Sequence, residues 1–211
     1  GGGSYREYLM PGIYVQTLAF ASATTSVGIA DDLTKGLIDR FRSLPMARSA
    51  VLSGRTCSDV VYNAGILAVL MLSGLVVGWG VHNGIGRFLV AVALLLAFAF
   101  TMAWLGVLIG LMVPSVEVAQ QLGFLVLFPI TFLSNAFVPA ATLPSVLQPI
   151  AEWNPVSTLT QATRELFGNP SPSPSGSFPS DHALVLSVAW LAVLLAIFAP
   201  LAVRRYRSID R

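Results

Sequence analysis

The sequence is poor in charge: Asp, Glu, Lys and Arg make up 10% of its 211 residues, against about a quarter in soluble domains. It has one lysine, one cysteine and two histidines. Each scarcity excludes something. A single cysteine, Cys57, rules out an internal disulfide and any cysteine-based metal cluster. We expect it to be a small packing residue at the entrance to a span. The single lysine, Lys35, follows Thr34 and belongs to no G-x-x-x-x-G-K-[ST] loop, so the chain cannot cradle ATP phosphates in that way. Any ATP-driven role then needs a separate subunit, and no cofactor is expected on this chain. No Asp, Glu, Lys or Arg falls near the middle of any long apolar run, which disfavours a carrier that couples ions through intramembrane carboxylates. No nucleic-acid partner is expected.

What remains is grease. Hydrophobic residues make up 55% of the chain and mean hydropathy is +0.75, the composition of a polytopic all-α membrane protein in a lipid bilayer. Five spans are predicted, at about 9–30, 56–80, 87–113, 118–138 and 181–203. The first is the least apolar, with Gln16, Thr17, Ser22, Thr24, Thr25 and Ser26. It suits packing against protein or lining a cavity better than facing lipid. In the second, Asp59 and Asn63 fall in the first turns, near the headgroups, and Trp79 is expected to mark the far interface. Pro129 predicts a kink in the fourth. Between residues 140 and 167, Pro144, Pro149 and Pro155 cut an apolar stretch into pieces too short for about 30 Å of hydrocarbon. We expect two short re-entrant helices, Pro144 to Ala151 and Ser157 to Phe167. Gly168 to Ser180, rich in proline and serine, reads as an aqueous loop.

The one long polar interruption is the linker 31–55. It carries Lys35, Arg40, Arg42, Arg48 and Arg55, five of the twelve basic residues. Leu33, Leu37, Phe41 and Leu44 recur at helical spacing, with Lys35, Asp39 and Arg42 opposite. Asp31 or Asp32 is expected to cap this amphipathic helix and Pro45 to end it. Such a helix either lies on the lipid surface or docks on a soluble partner. Four more arginines sit in the tail, Arg204 to Arg211, so the positive-inside rule puts linker and C-terminus in the cytoplasm. Five spans that end inside begin outside, so we expect a preceding span, six in the native chain.

Other motifs carry less. The FPSDH stretch, Phe178 to His182, has a superficial likeness to the PSGH motif of membrane lipid phosphatases, but the only other histidine, His82, has no neighbouring aspartate. The structural reading is that Pro179, Ser180 and Asp181 cap the last span. Gly74 with Gly78, and Gly106 with Gly110, are small-residue pairs for close helix packing. The four tryptophans read as anchors or bundle filling. Phe124, Phe128, Phe132 and Phe137 make one aromatic side of the fourth span, against lipid, another helix or a greasy substrate.

Two stretches carry a family resemblance. GLIDRFRSLPMARSAVLSGR, Gly36 to Arg55, resembles the cytoplasmic loop of type-2 ABC exporter permeases, especially the daunorubicin-resistance type. FLSNAFVP, Phe132 to Pro139, followed by LPSVLQPIAEWNPVS, Leu143 to Ser157, is similar to the end of that family's fifth native span, its outer re-entrant helices and the Asn-Pro after them. The two lie in the family's order, and the resemblance covers essentially the whole chain as one permease domain.

The resemblance implies an inner-membrane, multi-pass, non-catalytic permease that exports a hydrophobic or amphipathic compound. It implies two P-loop ATPase subunits, which bind ATP and magnesium, and a second permease copy, identical or a close paralogue. It assigns ATPase coupling to Lys35, Gly36, Asp39, Arg40, Phe41, Arg42, Ser43, Pro45 and Arg48. It assigns the outer re-entrant gate to Phe137, Pro139, Pro144, Asn154 and Pro155. A permease for polysaccharide or other cell-envelope precursors shares the fold; a membrane lipid phosphatase is the alternative from another class.

Overall fold

The computed structural model describes residues 5–35, 48–139, 142–169 and 177–208, with side chains of the second segment from residue 52 onward. All its regular elements among these are helices: α1 Tyr5–Thr34, α2 Arg48–Val77, α3 Gly84–Met112, α4 Val116–Phe132, α5 Gln148–Trp153, α6 Pro155–Phe167, α7 Phe178–Asp181 and α8 Ala183–Ser208. Four of them, α1, α2 (from Leu52), α3 and α8, are long and apolar enough to cross a membrane. The fourth expected span, 118–138, is shorter than expected. α4 stops at Phe132 after 17 residues, about 25 Å, and Phe137 lies beyond its end.

The least apolar of the four long helices is the hub. α1 packs most extensively on α3, then on α4, and also on α6 and α2. Its serines make this possible because they satisfy themselves. Ser22 Oγ donates to Ala19 O and Ser26 Oγ to Ala23 O, each at 2.8 Å. The face they leave is narrow, and α3 meets it with glycine. A Cβ on Gly106 would collide with the Ser22 carbonyl oxygen, and one on Gly110 would lie 2.6 Å from Ser26 O. The pair Gly106 and Gly110 therefore packs helices, as expected. Gly123 of α4 meets Ala23 of α1 in the same manner.

Gly74 and Gly78 do not act as a pair. Gly78 has φ +97° and ends α2. Its N–H donates to Leu75 O at 3.1 Å and that of Trp79 to Gly74 O at 2.8 Å, the two bonds of a Schellman turn. α6 ends in the same way: Gly168 has φ +74°, and Asn169 N–H donates to Arg164 O at 3.0 Å. The residues following the two glycines then meet, since Trp79 Nε1 donates to Asn169 Oδ1 at 2.8 Å. Trp79 is consequently buried within the bundle's far end, its indole turned to protein and not to the surroundings. Its ring sits edge-on to Tyr14 at 5.3 Å and to Phe167 at 5.1 Å. Further bonds hold the α2–α3 turn on the end of α6, from His82 N–H to Phe167 O and from Asn83 Nδ2 to Glu165 O. They satisfy carbonyls that a helix C-terminus leaves open.

Antiparallel connection puts Thr34, Leu52, Met112, Val116 and Ser208 at one end of the bundle, here the linker end. Tyr5, Val77, Gly84, Phe132 and the short helices α5–α7 lie at the other. A large core runs through the middle and the far end, including Tyr14, Leu18, Phe98, Leu127 and Phe167. A smaller one, with Ile29, Leu52, Trp104, Leu111, Ala202 and Tyr206, closes the linker end.

Candidate functional site

The far end is built on an irregular segment. From Leu133 to Pro139 the chain is non-helical, and carbonyls there need donors wherever lipid replaces water. Asn154 and Arg164 supply them. Asn154 lies between α5 and α6. Its Oδ1 accepts from Val156 N–H at 2.8 Å as the α6 N-cap, and Pro155 takes N1, where its missing N–H costs nothing. Its Nδ2 donates to Ile130 O at 2.7 Å and Leu133 O at 3.1 Å. One side chain thus starts α6 and fastens the end of α4. Asn154→Ala removes both functions. We expect a loss of about 2 kcal/mol, measured as a lower unfolding midpoint in detergent with helical circular dichroism retained.

Arg164 is the residue that sequence reasoning missed: it carries no site role in the sequence, yet its side chain is 0% exposed. Nε donates to Tyr8 O at 3.0 Å; Nη2 donates to Asn135 O at 3.1 Å and Ala136 O at 2.9 Å. The guanidinium lies 3.8 Å from the centre of the Tyr8 ring, a cation–π arrangement. Tyr8 Oη donates to Asn135 O as well, at 3.0 Å. Three segments meet on this one cation: the start of α1, the irregular segment after α4, and α6. Burial pushes the Arg164 pKa down to about 10, so it stays charged at neutral pH. Burial also pushes the neighbouring Glu165 carboxyl up, against the pull of Gln161 Nε2. The available hint was a lone arginine on a short helix with alternating Thr and Ser, a face too polar for lipid.

Of the expected gate residues, Asn154 and Pro155 stand in this clamp. Pro139 and Phe137 lie on the irregular segment. Pro144 sits in a turn, its carbonyl accepting from Leu147 and Gln148 N–H. The first short helix starts at Gln148 and not at Pro144, because α5 forms only after that turn.

At the linker end, α1 runs unbroken to Thr34. Asp31 and Asp32 lie in its last turn and so cap no new helix; nothing in the chain there interrupts the i to i−4 pattern. Lys35 Nζ pairs with Asp31 Oδ2 at 2.6 Å, which raises the lysine pKa. Gly36, Asp39, Arg40, Phe41, Arg42, Ser43 and Pro45 lie outside the described residues, as does the Arg48 side chain, although Arg48 begins α2. Across from Asp32 stands Arg55, whose Nη1 lies 2.9 Å from Asp32 Oδ2. Its Nε lies 3.6 Å from Asp59 Oδ1. Thr25 Oγ1 donates to Asp59 Oδ2 at 2.8 Å. Cys57 is exposed, not packed as expected, because it turns to the side of α2 away from α1 and α3.

The FPSDH stretch forms the one-turn helix α7. His182 breaks it from α8, its ring stacked on Phe178 at 4.5 Å. His82 Nε2 lies 2.8 Å from Glu7 Oε1. Neither histidine has the aspartate companion of the phosphatase pattern.

The described chain is thus a bundle of long apolar helices with a polar linker between the first two and, at the far end, two short helices joined through Asn154 and Pro155. Residues 2–167 match the family model described as ABC-2 type transporter. The chain belongs to the ABC-2 transporter family. It is also 33% identical, over 204 residues, to the "Daunorubicin resistance ABC transporter permease protein DrrB1" of Streptomyces coeruleorubidus, covering 97% of this chain and 69% of that protein. Within the ABC-2 frame, α1 and α2 flank the linker, and α4 leads to the short helices α5 and α6. The matched segment ends at Phe167, one residue before the Gly168 turn.

Proposed function

We propose that this chain is the permease half of an ATP-driven exporter that moves a hydrophobic or amphipathic compound out of the cytoplasm or inner leaflet. The linker and the C-terminus face the cytoplasm, and the linker seats on a P-loop ATPase that supplies ATP and magnesium chemistry. This chain itself catalyses no reaction. The observation that carries the reading is the path of α1. The helix at the hub of the bundle continues to Thr34, into the first residues of the linker, so force applied there reaches the core along one helix. The relative's name makes an anthracycline the first compound to test.

One face of α4 supports a second permease copy. Glu117, Gln120 and Gln121, then Phe124, Leu125 and Phe128, line an open hollow of about 700 Å³ and are exposed. Polar side chains in the first turns of an apolar helix need water, headgroups or a polar partner. A second copy across a water-filled path satisfies them, and the phenylalanines beyond suit a greasy passenger.

Phe41→Asp with Arg42→Asp tests the docking. The expected result is at least a tenfold loss of daunorubicin uptake into inverted vesicles, with the protein still in the membrane. Uptake at the unaltered rate sinks the proposal.

A further inference from the structure

The linker's two flanking helices have few contacts with one another. α1 touches α2 far less than it touches α3 or α4, and α2 rests chiefly on α3. Near the linker their tie is a short chain of polar groups. Thr25, Gly28 and Asp32 recur at i, i+3 and i+7, one face of α1. Arg55 and Asp59 are i, i+4 on α2. Arg55 bridges Asp32 and Asp59, and Thr25 holds the second oxygen of Asp59. Gly28 makes the room, since a Cβ there would collide with Arg55 Nη2. Asp32 and Arg55 stand at the two ends of the linker, where it overlaps α1 and α2, and Thr25, Gly28 and Asp59 lie beyond it, inside the bundle's end.

Exposed ion pairs contribute little to stability. This one is half-buried and spans two helices, so its main physical effect is on geometry. It fixes the separation and the register of the two helices at the point where the linker leaves one and enters the other. We infer that Arg55 is a positioning residue: by tying Asp32 of α1 to Asp59 of α2 in the gap over Gly28, it makes the two helix ends one frame, so that a displaced linker moves both together.

The inference rests on the exporter reading, and its test keeps the two apart. The full chain, with Cys57→Ala, carries spin labels at Thr24→Cys and Ser58→Cys, both exposed positions outside the tie. It is purified with the P-loop ATPase that accompanies it. The label separation is measured by pulsed electron resonance, without nucleotide and trapped with ATP and vanadate. The expected result is one narrow distance, unchanged between the two states. Arg55→Ala broadens the distribution at least twofold while the ATPase remains bound, and Arg55→Lys falls between. Gly28→Ala, which displaces the guanidinium without removing a charge, gives the same broadening and covers the case in which Arg55→Ala fails to fold. A distribution in Arg55→Ala and Gly28→Ala that matches the parent overturns the inference. So does a parent pair that separates on trapping, or loss of the ATPase in Arg55→Ala, which makes Arg55 a docking residue. Absence of any bound ATPase from the parent overturns the exporter reading itself.

Discussion

Arg164→Met destabilises the detergent-solubilised protein by about 3–5 kcal/mol, the largest effect expected of any single substitution here. The reason is the number of acceptors that depend on this one side chain. Methionine fills much of the volume but donates nothing, so the carbonyls of Tyr8 and Ala136 lose their side-chain donor. Asn135 O keeps only the Tyr8 hydroxyl. An unsatisfied buried carbonyl costs about 1–3 kcal/mol, and part of that is recovered because no guanidinium has to be buried. Arg164→Lys separates charge from geometry. A lysine keeps the charge but brings a single ammonium where three donor directions are needed. We expect it to recover less than half of the loss in a chemical or thermal unfolding measurement. Recovery of full stability by lysine sinks the clamp and leaves only a charge requirement.

Gly106→Val comes second. Overpacking a close-fitting interface costs about 1–3 kcal/mol, and more when backbone is the obstacle. Here the obstacle is the Ser22 carbonyl, and the Thr25 Cβ stands 2.8 Å from where the first new carbon would sit. Neither can swing away, because both belong to the hub helix. The expected cost is about 3 kcal/mol or more, with loss of monodisperse protein on size-exclusion chromatography. Gly86→Val, on the same helix where nothing stands within 4 Å, is the control and leaves the elution profile unchanged. Equal behaviour of the two variants removes the close α1–α3 approach as a determinant of the fold.

Much of this architecture was legible before any coordinates. Apolar runs located α1, α2, α3 and α8 to within a turn or so at most ends, since bilayer thickness demands long uninterrupted helices. The polar residues of the first span identified it as an inside helix. The second short helix was expected from Ser157; it starts at Pro155, because Asn154 caps it and Pro155 fits its first position. Other features were not legible, for physical reasons. Tryptophan at the end of a span is ordinarily an interface residue. Trp79 is buried because the turn at Gly168 brings Asn169 to its indole, a contact between positions 90 apart. Helical hydropathy continues past Phe132, so nothing local marks the end of α4; donors 20 to 30 residues downstream hold the irregular segment that follows. The same distance hid Arg164, whose partners lie 28, 29 and 156 positions away.

One helix joins both clusters of polar contacts. Tyr8 in its first two turns is grasped by Arg164, Asp32 in its last by Arg55, and the glycine crossing at Ser22 and Thr25 lies between. By the rise of a helix, the arm from Ser22 to Tyr8 is about 21 Å and the arm from Thr25 to Asp32 about 10 Å. A rod pivoted at such a fulcrum swings its tips in opposite senses, the longer arm travelling about twice as far. A tilt of α1 therefore couples its two polar clusters directly, with no relay of parts between them.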